Sequence, residues 1–157
     1  MPVSWTLLLF EMGPTMKKYW FNFSGNNAGS AAVEFALVFP VALLFLCGSL
    51  AYGLYFGAAH AVQQLAADAA RASVAGLSDA ERRSIAEAHV ALNGGSYPLL
   101  RAEQLAVSAQ ALPADPNQFQ VRVSFNSSEL PIWAFAGLLP LPDRTIQRTA
   151  TIRRGGY

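Results

Sequence analysis

Charge is the property that this sequence has least of. Only 13% of its 157 residues are charged, against about 25% in an ordinary soluble domain. The shortage is concentrated at one end, because only four charged residues occur before position 60 and none between Glu34 and Asp68. Hydrophobic residues make up 53% of the chain. This composition excludes a disordered protein, which requires low hydrophobicity and high charge.

Cysteine, histidine and net charge are equally scarce. The single cysteine, Cys47, excludes an intramolecular disulfide. A net charge of +1 gives no electrostatic basis for nucleic-acid binding. With two histidines, His60 and His89, the sequence offers no metal-ligand cluster, and no phosphate-binding or nucleophile motif appears. We therefore predict a protein that is not an enzyme, with no cofactor, no metal and no small-molecule substrate.

An uncharged apolar segment covers residues 35–59. At about 1.5 Å per residue, a helix of this length crosses a hydrocarbon core of roughly 30 Å. Tyr52 and Tyr55 lie near one end, where interfacial aromatic residues are common. The alternative is a buried core helix, but a chain this short provides too little protein to surround a helix that is apolar on all sides. The lipid bilayer is therefore the first predicted partner.

The flanks of this segment suggest its orientation. The apolar run is too long for the core of an ordinary secretory signal, and no clear cleavage site of that type follows it. Lys17 and Lys18 favour a cytoplasmic N-terminus by the positive-inside rule. We predict a leader or cytoplasmic segment over residues 1–29, a transmembrane helix over 30–59, and a domain on the other side of the membrane over 60–157.

One motif is more specific than the rest of the sequence. Residues 29–40 read GSAAVEFALVFP, and residues 63–72 read QQLAADAARA. The first segment resembles the processing site of type IV pilin-like proteins. Together the two segments resemble the TadE-like family, which comprises pseudopilins or minor pilins of the tight-adherence (Flp) pilus system. The resemblance covers roughly residues 29–75, and loosely the C-terminal strand predicted over residues 145–154.

The resemblance implies roles for individual residues. A membrane prepilin peptidase would cut after Gly29, so that Ser30 becomes the first residue of the mature chain. Glu34 would then be its fifth residue, with the aromatic Phe35 beside it, and Arg71 would belong to the assembly surface together with these two. The resemblance further implies the bacterial inner membrane, a periplasmic domain, and as partners the peptidase, pilin or pseudopilin subunits and the tight-adherence machinery.

Glu34 also has a physical interpretation that is independent of the resemblance. A carboxylate at the edge of a membrane is costly and calls for a partner. Ser30 and Glu34 are four residues apart and therefore lie on the same side of a helix. After cleavage, the carboxylate could pair with the new α-amine of Ser30 or with that of a neighbouring subunit. Alternatively, it only reaches the interface and favours the positive end of the helix dipole.

Two helices are predicted at the start of the outer domain. Residues 58–75 form an alanine-rich helix ended by Gly76, with an apolar stripe that by default packs against its own domain and alternatively against partners. A capping box at Ser78 begins a second helix that runs to about residue 92. The stripe of the first helix comprises Val62, Leu65, Ala69 and Ala72, and the apolar face of the second comprises Ile85, Ala88 and Leu92.

Three runs with strand-like alternation follow, around residues 105–109, 119–125 and 146–152. A turn-forming cluster of residues, 113–117, separates the first two. The predicted fold class is therefore α+β: a long N-terminal transmembrane helix, a second helix and a small antiparallel sheet of about three strands. This is also the plan of pilin-like proteins.

The segment 130–142 has an unusual composition for a loop, because it is uncharged and rich in large apolar residues. One interpretation is a loop that closes over the sheet. The other is a contact with the membrane surface or a partner subunit. For the whole chain, the alternative function is a membrane-anchored periplasmic binding domain. The residues concerned are Ile132, Trp133, Phe135 and Leu138.

Overall fold

The computed structural model describes residues 27–153. The predicted leader up to position 26, with Lys17 and Lys18, and the terminal residues from Arg154 onward lie outside the described residues. The chain divides into two compact units, Met1–Phe45 and Leu46–Tyr157. Helix α1 (Asn27–Ser73) begins in the first unit and continues into the second.

The described part of the first unit consists of the N-terminal portion of α1. Its side chains from Gly29 to Phe45 are all exposed within the chain. Pro40 lies inside the helix, where it cannot donate a hydrogen bond to the carbonyl group four residues earlier. Among residues 27–153, α1 is the one helix that is long and apolar enough to cross a membrane. The composition predicts this property, because the helix contains no charged residue between Glu34 and Asp68.

The second unit contains helix α2 (Asp79–Asn93), which begins with the predicted capping box. The backbone N–H of Glu81 donates a hydrogen bond to Ser78 Oγ at 3.2 Å. The Glu81 carboxylate accepts a hydrogen bond of 2.8 Å from the backbone N–H of Leu77. The first bond satisfies an N–H group of the first turn that has no partner within the helix, and the second links that turn to the residue before the N-cap. The start of α2 is therefore fixed locally.

The predicted apolar face of α2 is wrong in its orientation. The buried residues are Ala86 and Val90, whereas Ala88 is exposed and Leu92 is 81% exposed. Ile85 is only half-buried, at the margin of the buried face. In this orientation, Nε of Arg83 donates to the carbonyl oxygen of Ala109, which lies 26 residues further along the chain, at 2.9 Å.

Three strands form one antiparallel sheet in the order β1-β2-β3. They are β1 (Leu105–Leu112), β2 (Asp115–Asn126) and β3 (Thr145–Arg153). The predicted alternation of β2 is confirmed, and so is the α+β fold class. Residues 113–114 form the turn between β1 and β2. Because β2 is the central strand, its inward side chains are fully buried: Phe119, Val121, Val123 and Phe125.

One face of α1 belongs to the hydrophobic core of the second unit. Gln63 Nε2 also donates to the carbonyl oxygen of Thr149 in β3 at 3.5 Å. The predicted stripe therefore packs against its own domain, the first of the two alternatives, although Ala72 is only half-buried. The hydrophobic α1 residues with no exposed surface are Ala58, Val62, Leu65, Ala66 and Ala69.

Candidate assembly and processing site

The polar side chains of the N-terminal motif contact one another on the surface of α1. Ser30 Oγ donates a hydrogen bond to Glu34 Oε1 at 3.3 Å, and both side chains are exposed. Their spacing of four residues predicts this arrangement. Phe35 is 65% exposed and stacks on Phe39, with the ring centroids 5.2 Å apart. The motif therefore presents a carboxylate and an aromatic ring next to each other on the exposed helix.

Gly29 has no packing role in the described chain. A Cβ atom added at this position would meet no other atom within 4 Å. A glycine within a helix costs roughly 0.5–1 kcal/mol relative to alanine. Because no side chain of the described chain needs this space, local packing does not explain the glycine.

Arg71 lies in the last turn of α1 and forms an ion pair with Asp68. The Arg71 side chain is 72% exposed. The second oxygen of the Asp68 carboxylate accepts a hydrogen bond of 2.5 Å from the Tyr97 hydroxyl. The sequence predicts the pair of Asp68 and Arg71 from their spacing, but it misses Tyr97, which lies 29 residues further along the chain.

This hydrogen bond perturbs the acidity of Tyr97. The bond to Asp68 raises the pKa of Tyr97 to about 12, with smaller contributions from burial and from the negative charge of Asp68, whereas Arg71 acts in the opposite direction. The charged form of tyrosine is the deprotonated one, so the folded state favours the protonated hydroxyl. The resulting stabilisation is complete below the ordinary pKa of 10.0 and is lost as the pH rises towards 12.

We expect Tyr97→Phe to remove this pH dependence. The thermal midpoint of the full chain in detergent should fall more steeply between pH 10 and 12 for the wild type than for the variant, because only the wild type loses the Tyr97 proton. Asp68→Asn should show an intermediate slope, since the amide oxygen still accepts the hydrogen bond without its charge. Equal slopes for the wild type and Tyr97→Phe would contradict the assignment.

The first half of the apolar segment 130–142 closes over the sheet. Residues Pro131–Phe135 form a 3-10 helix, and Ile132 is buried in the core. The indole N–H of Trp133 donates to the carbonyl oxygen of Ser127 at 2.5 Å. The guanidinium carbon of Arg144 lies 4.8 Å from the centre of the Trp133 ring. Ile132 and Trp133 therefore have structural roles, and Phe135 is half-buried against the same core.

The second half of this segment contacts α1. A Leu139 methyl group lies 3.6 Å from the position that a Cβ atom on Gly48 would occupy. The Tyr52 hydroxyl donates a hydrogen bond to the carbonyl oxygen of Pro140. Leu138, which also belongs to the second half, is 71% exposed. The first half therefore lies in the core. In the second half, Leu139 contacts α1 within the predicted span and, like Leu141, packs against the core, whereas Leu138 remains exposed.

The open face of the sheet carries a shallow depression of about 200 Å³. Sites for drug-sized ligands usually occupy roughly 300–1,000 Å³ and are mainly apolar. This depression is smaller, and several of its side chains are polar. Its geometry therefore gives no support to a ligand-binding function. The lining residues are Ala106, Val107, Ser108, Arg122, Ser124 and Gln147.

Comparison with known families bears out the resemblance. The family model described as TadE-like protein matches residues 29–71. This range begins at Gly29, contains Glu34 and Phe35, and ends at Arg71, so it coincides with most of α1. No curated protein and no solved structure matches the chain. The match covers 43 of the 157 residues, all of them in α1, so it shows a likeness of this segment to the TadE-like family.

Proposed function

We propose that this chain, whose residues 29–71 match the TadE-like family, is a pseudopilin or minor pilin-like subunit that takes part in assembling tight-adherence pili. A prepilin peptidase cleaves it, and it spans the bacterial inner membrane once with its N-terminus in the cytoplasm and its α+β domain in the periplasm. Its role is structural rather than enzymatic. The family match over α1, whose residues 35–59 are uncharged, carries this proposal.

The first step is cleavage between Gly29 and Ser30, with the chain as substrate. Water adds to the carbonyl carbon of Gly29, the bond to the Ser30 nitrogen breaks, and that nitrogen leaves as an amine after taking up a proton. Both residues lie close to the start of α1 at Asn27. Helix ends fray, and glycine is a poor helix former. Local unwinding at Gly29 is therefore easy, which supports access by a peptidase.

Cleavage creates a positive charge close to Glu34, with which its carboxylate can pair. The new α-ammonium group of Ser30 lies one helical turn from the Glu34 carboxylate. The hydrogen bond from Ser30 Oγ to Glu34 Oε1 indicates that the two residues face the same side. The carboxylate pairs with this amine, or with the amine of an adjacent subunit displaced along the helix axis. Pairing offsets the cost of placing a charge at the membrane edge.

Lateral contact between helices then builds the assembly. Side chains from Gly29 to Phe45 are exposed on every side within the chain, so neighbouring helices can cover them, with Phe35 next to the charged pair. Arg71, at the other end of α1, offers an exposed cation to acidic groups of a neighbouring subunit. Helix association in membranes depends on such packing and on polar contacts between helices.

The decisive experiment is to determine the N-terminus and intact mass of the protein extracted from membranes, with and without an active prepilin peptidase. We expect a chain beginning at Ser30 only when the peptidase is active. Gly29→Leu should stay uncut, because a large side chain replaces the bare backbone at the cleavage site.

Gly53→Leu is the matched control for this experiment. Like Gly29, Gly53 lies in α1 and has no atom within 4 Å of an added Cβ atom. This variant should be processed as efficiently as the wild type. A wild-type chain that keeps residues 1–29 in the presence of active peptidase would overturn the processing step and with it the assignment as a pseudopilin.

A further inference from the structure

We propose that the outer half of the apolar segment, residues 136–142, rests on the surface of the bilayer beside α1 and inserts Leu138 into the interfacial layer. Residues 136–142 therefore contact the lipid of the same membrane that α1 crosses. The inference therefore rests on the membrane-anchoring part of the proposed function, but not on processing or pilus assembly.

The position of the segment is the first argument. Leu139 contacts Gly48, and Pro140 accepts a hydrogen bond from Tyr52. Both α1 residues belong to the uncharged run 35–59. Side chains of α1 are exposed from residue 29 to residue 46, whereas Ala51 is buried in the core of the domain. Gly48 and Tyr52 therefore lie where the part of the helix that is open to lipid ends. Tyr52 is also typical of the interface, where tyrosine places its ring in the apolar layer and its hydroxyl in the polar one.

The surface chemistry of the segment is the second argument. It contains no charged residue from Leu130 to Pro142, and Leu138 exposes 71% of its surface. Exposed leucine is ordinary when isolated. Here it projects from a charge-free loop that is attached to a membrane helix, so insertion removes apolar surface from water without burying any charge.

The backbone of the segment is the third argument. Unpaired N–H groups are expensive in an apolar medium. The N–H groups of Leu138 and Leu139 both donate to the carbonyl oxygen of Phe135 at 2.9 Å, and that of Ala136 donates to Trp133 at 3.1 Å. The turn that presents Leu138 therefore satisfies these three donors within itself, which lowers the cost of entering a poorly hydrated layer.

Charged residues begin where the segment ends. Asp143 and Arg144 follow Pro142 directly, and both are exposed. Arg144 stacks over the Trp133 ring, which places a cation and an amphipathic aromatic ring next to the uncharged turn. Such a pair fits the level of phospholipid headgroups, since tryptophan favours the interface and a cation is attracted to lipid phosphates.

Spin labelling of the full chain in vesicles of phosphatidylethanolamine and phosphatidylglycerol tests this placement. The label is attached through Leu138→Cys in a Cys47→Ser background, and through Gly137→Cys as a second site. Collisions with oxygen, which concentrates in lipid, are compared with collisions with a water-soluble nickel chelate. Leu37→Cys, also 71% exposed, is the reference within the span, and Leu92→Cys on α2 is the aqueous reference.

We expect a several-fold higher oxygen-to-nickel ratio at positions 137 and 138 than at 92. Ratios equal to that at 92, with a lipid-like ratio at 37, would overturn the proposed lipid contact and leave the anchor intact. Protection from both reagents at 137 and 138 would also overturn it, because protein would then cover the surface. If the oxygen-to-nickel ratio at position 37 also equals that at position 92, the result would reject the membrane anchor itself.

Discussion

Replacing Glu34 by alanine is expected to abolish pilus assembly and leave the folded domain intact. The Glu34 carboxylate is exposed and its one hydrogen bond in the described chain is to Ser30, so its removal costs the isolated subunit little. In an assembly, each subunit would lose a charge-assisted contact, and such contacts are worth about 1.5–3 kcal/mol each. The measurement is the amount of pilus material sheared from cells that produce only the variant.

Two further variants show what the carboxylate does. Glu34→Gln keeps the size and hydrogen-bonding capacity of the side chain but removes its charge, so it should fail to assemble if pairing with an amine is the requirement. Glu87→Ala removes an exposed carboxylate from α2 and should assemble normally. Normal pili in cells that produce Glu34→Ala would refute the assembly role of this residue.

Phe119→Ala is expected to destabilise the domain by about 3–5 kcal/mol, the usual cost of removing a buried aromatic side chain. Phe119 is fully buried on the central strand, where it pairs with Ala111 of β1 and Ile152 of β3. Domains of this kind are stable by only about 5–15 kcal/mol, so the loss is a large fraction of the total. Thermal unfolding of the full chain in detergent, followed by circular dichroism, measures it.

Leu92→Ala is the control for this core substitution. Leu92 is 81% exposed, and surface substitutions of this kind usually change stability by less than about 0.5 kcal/mol. The comparison also tests the orientation of α2, because the apolar pattern of the sequence places Leu92 in the core. A loss of stability at Leu92 as large as that at Phe119 would contradict the structure.

Local signals explain why most of the fold is predictable from the sequence. Strand β2 alternates without interruption from Phe119 to Phe125, and the start of α2 is defined by Ser78 and Glu81, which are three residues apart. The motif at Gly29 and Glu34 is likewise contiguous, so it can be recognised from the sequence alone. In each case, neighbours in sequence determine the structure.

Other features depend on contacts between distant parts of the chain. The rotation of α2 buries Ala86 and Val90 and brings Arg83 within hydrogen-bond distance of β1. Apolar residues on several sides of that helix leave this orientation undetermined by the sequence. The bond between Tyr97 and Asp68 spans 29 residues, and that between Tyr52 and Pro140 spans 88. Periodicity carries no information about such pairs.

Because α1 is the first described element, it leaves the ribosome long before the strands that cover its buried face. About 80 residues separate Ala69 from the end of β3 at Arg153. At roughly 5–20 residues per second, translation needs about 4–16 s to supply them. The face of α1 that is still uncovered during this interval consists largely of alanine, with Val62 and Leu65 as its larger side chains. Small side chains limit the apolar area exposed during this interval, which lowers the risk of premature association during synthesis.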